Sequence, residues 1–249
     1  MISSNITKSI DENPKFDNPS EQSNYNDLII NLSGIEKKYP DGNNNFNYVL
    51  RGLNLEVTKG DFISVKGVSG SGKTTLLSIL GTLIKPDSGV YILNQKNMLI
   101  PDIDYSEIRN KILGFVFQDH KLLPQFCVLD NILLPTLATA SKSTAEQEKY
   151  AYELMEITGI SGISKQYPST ISGGEASRVA VCRALIMKPL LILADEPTGQ
   201  LDAENAKIIA SLLSELNKIF NITIIMVTHS DEVSAIAKRT LILKNGVLI

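Results

Sequence analysis

Two runs of alternating apolar and polar residues near the N-terminus, residues 28–35 and 48–57, have the period of half-buried β-strands. Between them, residues 40–46 contain the Pro, Asp, Gly and Asn that are typical of a turn. The pattern therefore predicts a hairpin of two antiparallel strands at this end of the chain.

Further along the chain, short apolar runs alternate with stretches of helical period. Residues 190–194 are continuously apolar, as in a strand that is buried on both faces of a parallel sheet, and residues 222–227 predict a second buried strand. Other strands are predicted at residues 62–65, 90–93, 112–117 and 240–244, and helices at 74–83, 143–160, 175–187 and 203–219. This alternation predicts an α/β fold with a parallel core sheet.

The composition adds few constraints. The chain has 249 residues, 43% of them apolar, which suits one large domain or two small ones. A net charge of -3 gives no reason to expect a nucleic-acid partner. Cys127 and Cys182 are too few to predict a disulfide framework or a zinc site, which favours a reducing compartment. No signal peptide and no apolar run of about 20 residues occurs, so a cytoplasmic location is predicted.

Residues 1–27 are rich in Asn, Ser, Asp and Pro and lack apolar periodicity. Such a segment buries too little surface to offset the entropy lost on ordering, so it is predicted to be a disordered tail. A docking arm is the alternative. Residues 28–249 are predicted to form the folded domain.

A glycine-rich segment follows the strand at residues 62–65 and precedes a helix. It fits the pattern G-x-x-x-x-G-K-[ST], in which backbone N–H groups surround a phosphate at a helix N-terminus. Lys73 would reach the β- and γ-phosphates, and the Thr74 hydroxyl would bind Mg²⁺. A glycine turn with an exposed lysine is the alternative. The predicted nucleotide-binding residues here are Gly67, Val68, Ser69, Gly70, Ser71, Gly72, Lys73, Thr74 and Thr75.

Two later strands end in groups that suit phosphate chemistry. Asp195 and Glu196 follow the apolar run at 190–194. Asp195 would meet the Mg²⁺, and Glu196 would orient and deprotonate an attacking water. His229, just past the run at 222–227, is placed to contact a γ-phosphate. The alternatives are a solvated strand end and a surface histidine.

These segments, together with four others, resemble the ATPase of ABC transporters. Gln118 resembles the Q-loop glutamine, which contacts Mg²⁺ and water and counts among the catalytic residues with Lys73, Glu196 and His229. Residues 171–175 resemble the family signature, 199–202 the D-loop, and Tyr39 the aromatic residue that stacks on adenine. The resemblance adds as nucleotide-binding residues Tyr39, Gln118, Ser172, Gly173, Gly174, Glu175, Asp202 and His229.

The resemblance also implies cofactors, partners and an architecture. ATP and Mg²⁺ would join two copies head to tail, with the signature of one copy on the γ-phosphate bound by the other. A P-loop core would carry an N-terminal antiparallel β portion and a helical subdomain at about residues 119–180. A separate membrane permease would dock near residues 119–131 and hold the protein on the cytoplasmic face of the inner membrane.

Within the family, residues 115–124 and 194–199 are most similar to the subgroup of lipoprotein release and macrolide-type export. Cell-division ATPases are also similar. A soluble ABC ATPase of DNA repair or translation is an alternative, although the chain lacks their usual coiled-coil insertion, zinc cysteines or tandem units. A catalytically silent binder is a third possibility, which the intact Lys73, Glu196 and His229 oppose.

Overall fold

The computed structural model describes residues 27–42, 45–138 and 140–249. The predicted disordered tail therefore lies outside the described residues, apart from Asp27. The strands are β1 Leu28–Pro40, β2 Phe46–Thr58, β3 Phe62–Lys66, β4 Ser88–Leu93, β5 Lys96–Asn97, β6 Leu113–Val116, β7 Leu191–Asp195, β8 Thr223–Val227, β9 Arg239–Lys244 and β10 Val247–Leu248. The α-helices are α1 Lys73–Leu80, α2 Tyr105–Lys111, α3 Val128–Leu133, α4 Ala145–Ile157, α5 Gly173–Leu185, α6 Ala203–Phe220 and α7 Asp231–Ser234.

The chain builds two sheets. One is antiparallel with the order β2-β1-β4-β5, and the other has the order β10-β9-β3-β8-β7-β6. In the second sheet, β9, β3, β8, β7 and β6 are parallel neighbours, and β10 adds an antiparallel edge. The predicted α/β fold with a parallel core sheet and an antiparallel N-terminal portion is confirmed.

Strands β3, β7 and β8 are buried on both faces, which explains their mainly apolar sequences. On β7, Leu191 and Leu193 pack with α1 and the antiparallel sheet. Ile192 and Ala194 point to the opposite face, where they pack with α3, α4, α5 and α6. Each core strand therefore belongs to two hydrophobic clusters, and the sheet separates them.

Side-chain caps set where the principal helices begin. Thr144 and Gln147 form a capping box at α4, and Ser172 and Glu175 form a second one at α5. Asp202 caps α6, which ends at Asn221 in the left-handed conformation. Among the described residues, no helix has both the length and the apolar character required to cross a membrane.

Candidate nucleotide-binding and catalytic site

The loop of residues 67–72 connects β3 to α1 and has a backbone that requires glycine. Gly72 has φ 102° and Gly70 has φ 77°, both in the left-handed region. A Cβ on Gly67 would lie 2.5 Å from Oγ of Ser71 and 2.6 Å from the carbonyl oxygen of Leu243. The loop therefore brings its backbone closer to neighbouring atoms than a side chain would permit.

Lys73 is buried at the start of α1, and its ammonium closes the loop. Nζ donates to the carbonyl oxygens of Gly67 at 2.8 Å and Val68 at 3.0 Å. The Ser71 hydroxyl is buried without a hydrogen-bond partner among the described protein groups. A phosphate would supply an acceptor oxygen for this hydroxyl and a charged partner for the Lys73 ammonium.

A cavity of about 480 Å³ lies over this loop, and its volume suits a small ligand. A second cavity of about 790 Å³ shares part of this lining, including Val49 and His229. The residues around the first cavity are Val49, Ser69, Gly70, Gly72, Lys73, Thr74, Thr75, Glu196 and His229. The structure thus brings the predicted phosphate loop together with three of the four predicted catalytic residues, Lys73, Glu196 and His229.

Asp195 ends β7 beside the phosphate loop. Burial, and then the neighbouring charge of Glu196, raise the pKa of the Asp195 carboxyl, whereas Lys73 and a hydrogen bond with the Thr74 side chain lower it. A cation at this carboxylate would relieve the cost of burying its charge. The Asp195 carboxylate and the Thr74 hydroxyl are also the hard oxygen ligands that Mg²⁺ prefers, so the residues fit this ion.

Glu196 and His229 meet at the rim of the cavity. Oε2 of Glu196 lies 3.2 Å from Nδ1 of His229, and the two side chains are 22% and 67% exposed. The backbone of Glu196 has φ 44°, and its N–H donates to the carbonyl of Val227 at 3.0 Å. An uncommon backbone conformation held by the next strand fixes the direction of this carboxylate.

Gln118 follows β6 and packs against the turn after Glu196. A Cβ on Gly199 would lie 3.1 Å from Nε2 of Gln118. Two residues further, the carbonyls of His120 and Lys121 accept hydrogen bonds from the guanidinium of Arg183 on α5. Gln118 does not line either cavity described above, so the structure places it near the site without placing it inside.

The signature residues form the start of α5. Ser172 N donates to the Glu175 carboxylate at 2.7 Å, and this bond is the main reason that the pKa of Glu175 is lowered. Gly174 lies beside the Asn205 side chain. The backbone N–H of Asn205 donates to Asp202 Oδ1 at 2.9 Å. That backbone bond is the first cause that lowers the pKa of Asp202. The signature and the D-loop are therefore neighbours, but Ser172, Gly173, Gly174, Glu175 and Asp202 line neither cavity.

Tyr39 lies at the end of β1, with its ring 5.6 Å from Nζ of Lys37, and outside the lining of both cavities. Its adenine-stacking role stays a prediction. Sequence reasoning missed other residues of the larger cavity, including Tyr48 and the turn at Asn245 and Gly246. The Asn-Gly pair was a usable signal, since it is typical of a tight hairpin turn.

The site has the parts of a P-loop ATPase: a phosphate loop between a strand and a helix, an acidic pair ending a parallel strand, and a histidine ending the next. A profile of the ABC transporter family matches residues 50–199. The chain belongs to the ABC transporter family, and it is an ATP-binding subunit with ATP hydrolase activity.

Relatives cover most of this chain. It is 45% identical over 203 residues to "Lipoprotein-releasing system ATP-binding protein LolD 1" of Rhodopirellula baltica, covering 81% of this chain and 88% of the relative. It is 40% identical to LolD of Bacteroides fragilis, covering 89% and 100%. It is 39% identical to "Macrolide export ATP-binding/permease protein MacB" of Chlorobium luteolum, covering 89% of this chain and 33% of the relative.

Solved structures show the same fold. The dimeric structure of MJ0796, a bacterial ABC transporter cassette, superposes with a TM-score of 0.80 at 35% identity, covering 88% of this chain and 96% of the other. A post-hydrolysis state of the same cassette, bound to ADP and Pi, gives a TM-score of 0.79 at 34% identity, with the same coverage.

Proposed function

We propose that this chain is the ATPase of a lipoprotein-releasing transporter, working as a pair of copies that share two ATP sites and drive a separate permease. The observation that carries the proposal is the contact between Glu196 and His229 in the cavity that also contains Lys73 and Thr74. A carboxylate and an imidazole at the rim of a phosphate loop can hold and deprotonate a water beside the terminal phosphate.

Each residue near the phosphate loop has a proposed task. Lys73 and the loop N–H groups hold the β- and γ-phosphates of ATP. Thr74, Asp195 and Gln118 would hold Mg²⁺, which neutralises charge on the phosphates when bound. The described residues include no cluster of three or more His, Cys, Asp or Glu side chains suited to a metal. Mg²⁺ commonly binds through one or two carboxylates together with substrate phosphates and water, and Asp195 is the carboxylate of the proposed set.

Glu196 is the proposed general base, and His229 orients both this carboxylate and the γ-phosphate. The Glu196 carboxylate accepts a proton from water at the rim of the cavity, where it is 22% exposed and open to solvent on one side. Gln118, which packs against Gly199 in the turn after Glu196, is proposed to report whether the site is filled. Tyr39 is proposed to stack on the adenine.

The second copy is required because the signature has no phosphate to bind within its own chain. Ser172 is an exposed helix N-cap, and neither it nor Gly174 lines the cavity over the phosphate loop. N–H groups and a hydroxyl at a helix start favour an anion. Residues 172–175 and Asp202 of one copy are proposed to close the ATP site of the other. The dimeric structure of MJ0796 supports this arrangement.

The proposal that the transported cargo is a lipoprotein rests on relatives whose length this chain covers almost completely. LolD proteins at 40 to 45% identity are covered over 88 to 100% of their length in R. baltica and B. fragilis. Only a third of MacB is covered, so the macrolide assignment has less support.

A separate permease is proposed to hold the protein at the cytoplasmic face of the membrane. A third cavity, of about 640 Å³, opens beside the segment 119–131, which contributes Lys121 and Leu123. Phe115 and Leu134 add apolar surface to it. An apolar groove with a basic edge suits a short helix of a membrane protein.

Shared sites can be tested by mixing Ser172→Arg chains with Glu196→Gln chains. A mixed dimer with shared sites joins both lesions in one site and leaves the other intact, so activity should return although each parent is inactive. No recovery with mixed dimers shown to form would argue against shared sites. Hydrolysis by isolated monomers, at a rate per subunit that does not depend on concentration, would refute them. Recovery of an integral-membrane protein with the tagged chain tests the permease, and its absence would favour a soluble ABC ATPase.

A further inference from the structure

A line of polar side chains joins β3, the strand that leads into the phosphate loop, to α7, the helix that follows His229. The hydroxyls of Ser64 and Ser234 lie 3.0 Å apart, and both residues are buried. Nearer to the phosphate loop, Nζ of Lys66 donates to the carboxylate of Asp231. We call these four residues, Ser64, Lys66, Asp231 and Ser234, the polar seam.

The spacing of the four residues makes the seam continuous. Ser64 and Lys66 are two residues apart on a strand, so their side chains leave the same face of the sheet. Asp231 and Ser234 are three residues apart on a helix, so they also share a face. The seam therefore fixes both the position of α7 along β3 and its rotation about its own axis.

α7 depends on such contacts because it is short. It spans four residues, about one turn, and a helix of this length is not stable by itself in water. Ser230 caps it by accepting a hydrogen bond from Val233 N at 3.3 Å. A second ion pair, from Glu232 to Lys207 on α6 at 2.9 Å, attaches the helix to a different element.

His229 lies between two attachments to β3. On one side, Thr228 N donates to the carbonyl of Val65 at 3.2 Å. On the other side, α7 is attached through the polar seam. The His229 side chain is 67% exposed, so few packing contacts hold the ring. The position of the imidazole is therefore set by the backbone on either side of His229.

We propose that Lys66 and Asp231 are positioning residues for His229, holding the histidine in register with the phosphate loop. This inference rests on the proposed role of His229 in hydrolysis. The Asp231 side chain is 84% exposed, so the ion pair adds little to the stability of the fold. Its effect falls on turnover, by about two- to fivefold, which is the range that an exposed ion pair can contribute.

The test compares Asp231→Asn and Lys66→Met with Glu232→Gln in the full chain, with ATP and Mg²⁺. The first two variants should lower kcat about two- to fivefold. Asp231→Asn should leave KM for ATP within about twofold, because Asp231 lines neither nucleotide cavity, whereas Lys66 lines the larger one. Glu232→Gln is the control: it breaks the ion pair between α7 and Lys207 on α6, and it should leave kcat unchanged. The reversed pair, Lys66→Glu with Asp231→Lys, should recover most of the lost turnover.

Two further readouts separate positioning from a general loss of structure. The ratio of wild-type to Asp231→Asn turnover should approach one as salt rises from about 0.05 to 0.5 M, since salt screens an exposed pair. The chain has two histidines, so the His229 imidazole resonance can be assigned with His229→Ala. This resonance should move in Asp231→Asn and stay in place in Glu232→Gln.

The seam inference fails if Asp231→Asn matches Glu232→Gln in both kcat and the His229 resonance, or if the reversed pair is no better than the single variants. The His229→Ala variant separates this failure from failure of the proposed function. Wild-type turnover in His229→Ala overturns the role of His229 in hydrolysis, while the resonance shift still decides whether the seam positions the ring. A low rate in His229→Ala with unaffected seam variants overturns the seam alone.

Discussion

The carboxylate of Glu196 lies 3.2 Å from Nδ1 of His229, although the two residues are 33 positions apart in the chain. Each follows one of two adjacent parallel strands, β7 and β8, which pair with Asp195 opposite Val227. A slip of either strand by one residue would turn that strand's side chains to the other face of the sheet and separate the pair. The register of these two strands therefore assembles the proposed catalytic pair.

The substitution Glu196→Gln should keep ATP binding and trap a dimer. Glutamine preserves the shape of the side chain and removes the proposed base, so turnover should fall by about 10²- to 10⁴-fold. Size-exclusion chromatography in ATP and Mg²⁺ should show a dimer that persists. A monomeric variant, or one with wild-type turnover, would show that Glu196 has another role.

The substitution Lys73→Ala should weaken nucleotide binding itself. It removes a buried ammonium whose charge-assisted bonds to phosphate oxygens are worth about 1.5 to 3 kcal/mol, so affinity should fall about tenfold or more. Titration with a fluorescent ATP analogue measures the change. Lys111→Ala is the control, because Lys111 pairs with Glu107 on α2 and lines neither nucleotide cavity. Equal affinities for the two variants would count against the phosphate loop.

The substitution Ser172→Ala should reduce both stability and hydrolysis, whereas Thr144→Ala should reduce stability alone. Both residues form capping boxes, at α5 and α4, so each loss should cost about 1 kcal/mol of unfolding free energy. Urea unfolding compares the two costs, and ATP turnover compares the two activities. Equal losses of turnover would mean that Ser172 acts only as a helix cap.

The substitution Asp195→Asn should raise the stability of the nucleotide-free protein while abolishing hydrolysis. Burial raises the pKa of Asp195 in the folded state above 3.8, so stability from the neutral carboxyl is present below that pH and is lost as pH rises through the folded pKa. At pH 7 the wild type carries a buried charge that the variant lacks. The melting temperature should rise by roughly 2 °C, and the gain should vanish near pH 4.

Thermal scans from pH 4 to pH 8 without nucleotide measure this difference. With ATP and Mg²⁺ the order should reverse, because only the wild type gains the stabilisation that comes from ligand binding. An Asp195→Asn protein that is less stable than the wild type at pH 7 would show that the carboxylate is compensated by Lys73 and Thr74.

Much of the fold could be predicted from the sequence, because strands that are buried on both faces have mainly apolar sequences. The runs at 190–194 and 222–227 became β7 and β8 almost without change. The elements that sequence reasoning missed are short or partly exposed: β5, α2, α3 and β10 carry little periodic signal. β1 extends five residues beyond its predicted end at residue 35, because pairing with β2 stabilises residues whose side chains stay exposed or half-buried.

The site divides in the same way. Local sequence determined the phosphate loop, the acidic pair and the capped helix start, because a positive φ, a buried carboxylate and an N-cap each require particular residue types within a few positions. Only the tertiary structure decided which of these groups meet. It joined Glu196 to His229, separated Ser172 from the cavity of its own chain, and paired Lys66 with Asp231 across 165 positions. Such contacts depend on strand order and register, which long-range packing sets and local sequence does not encode.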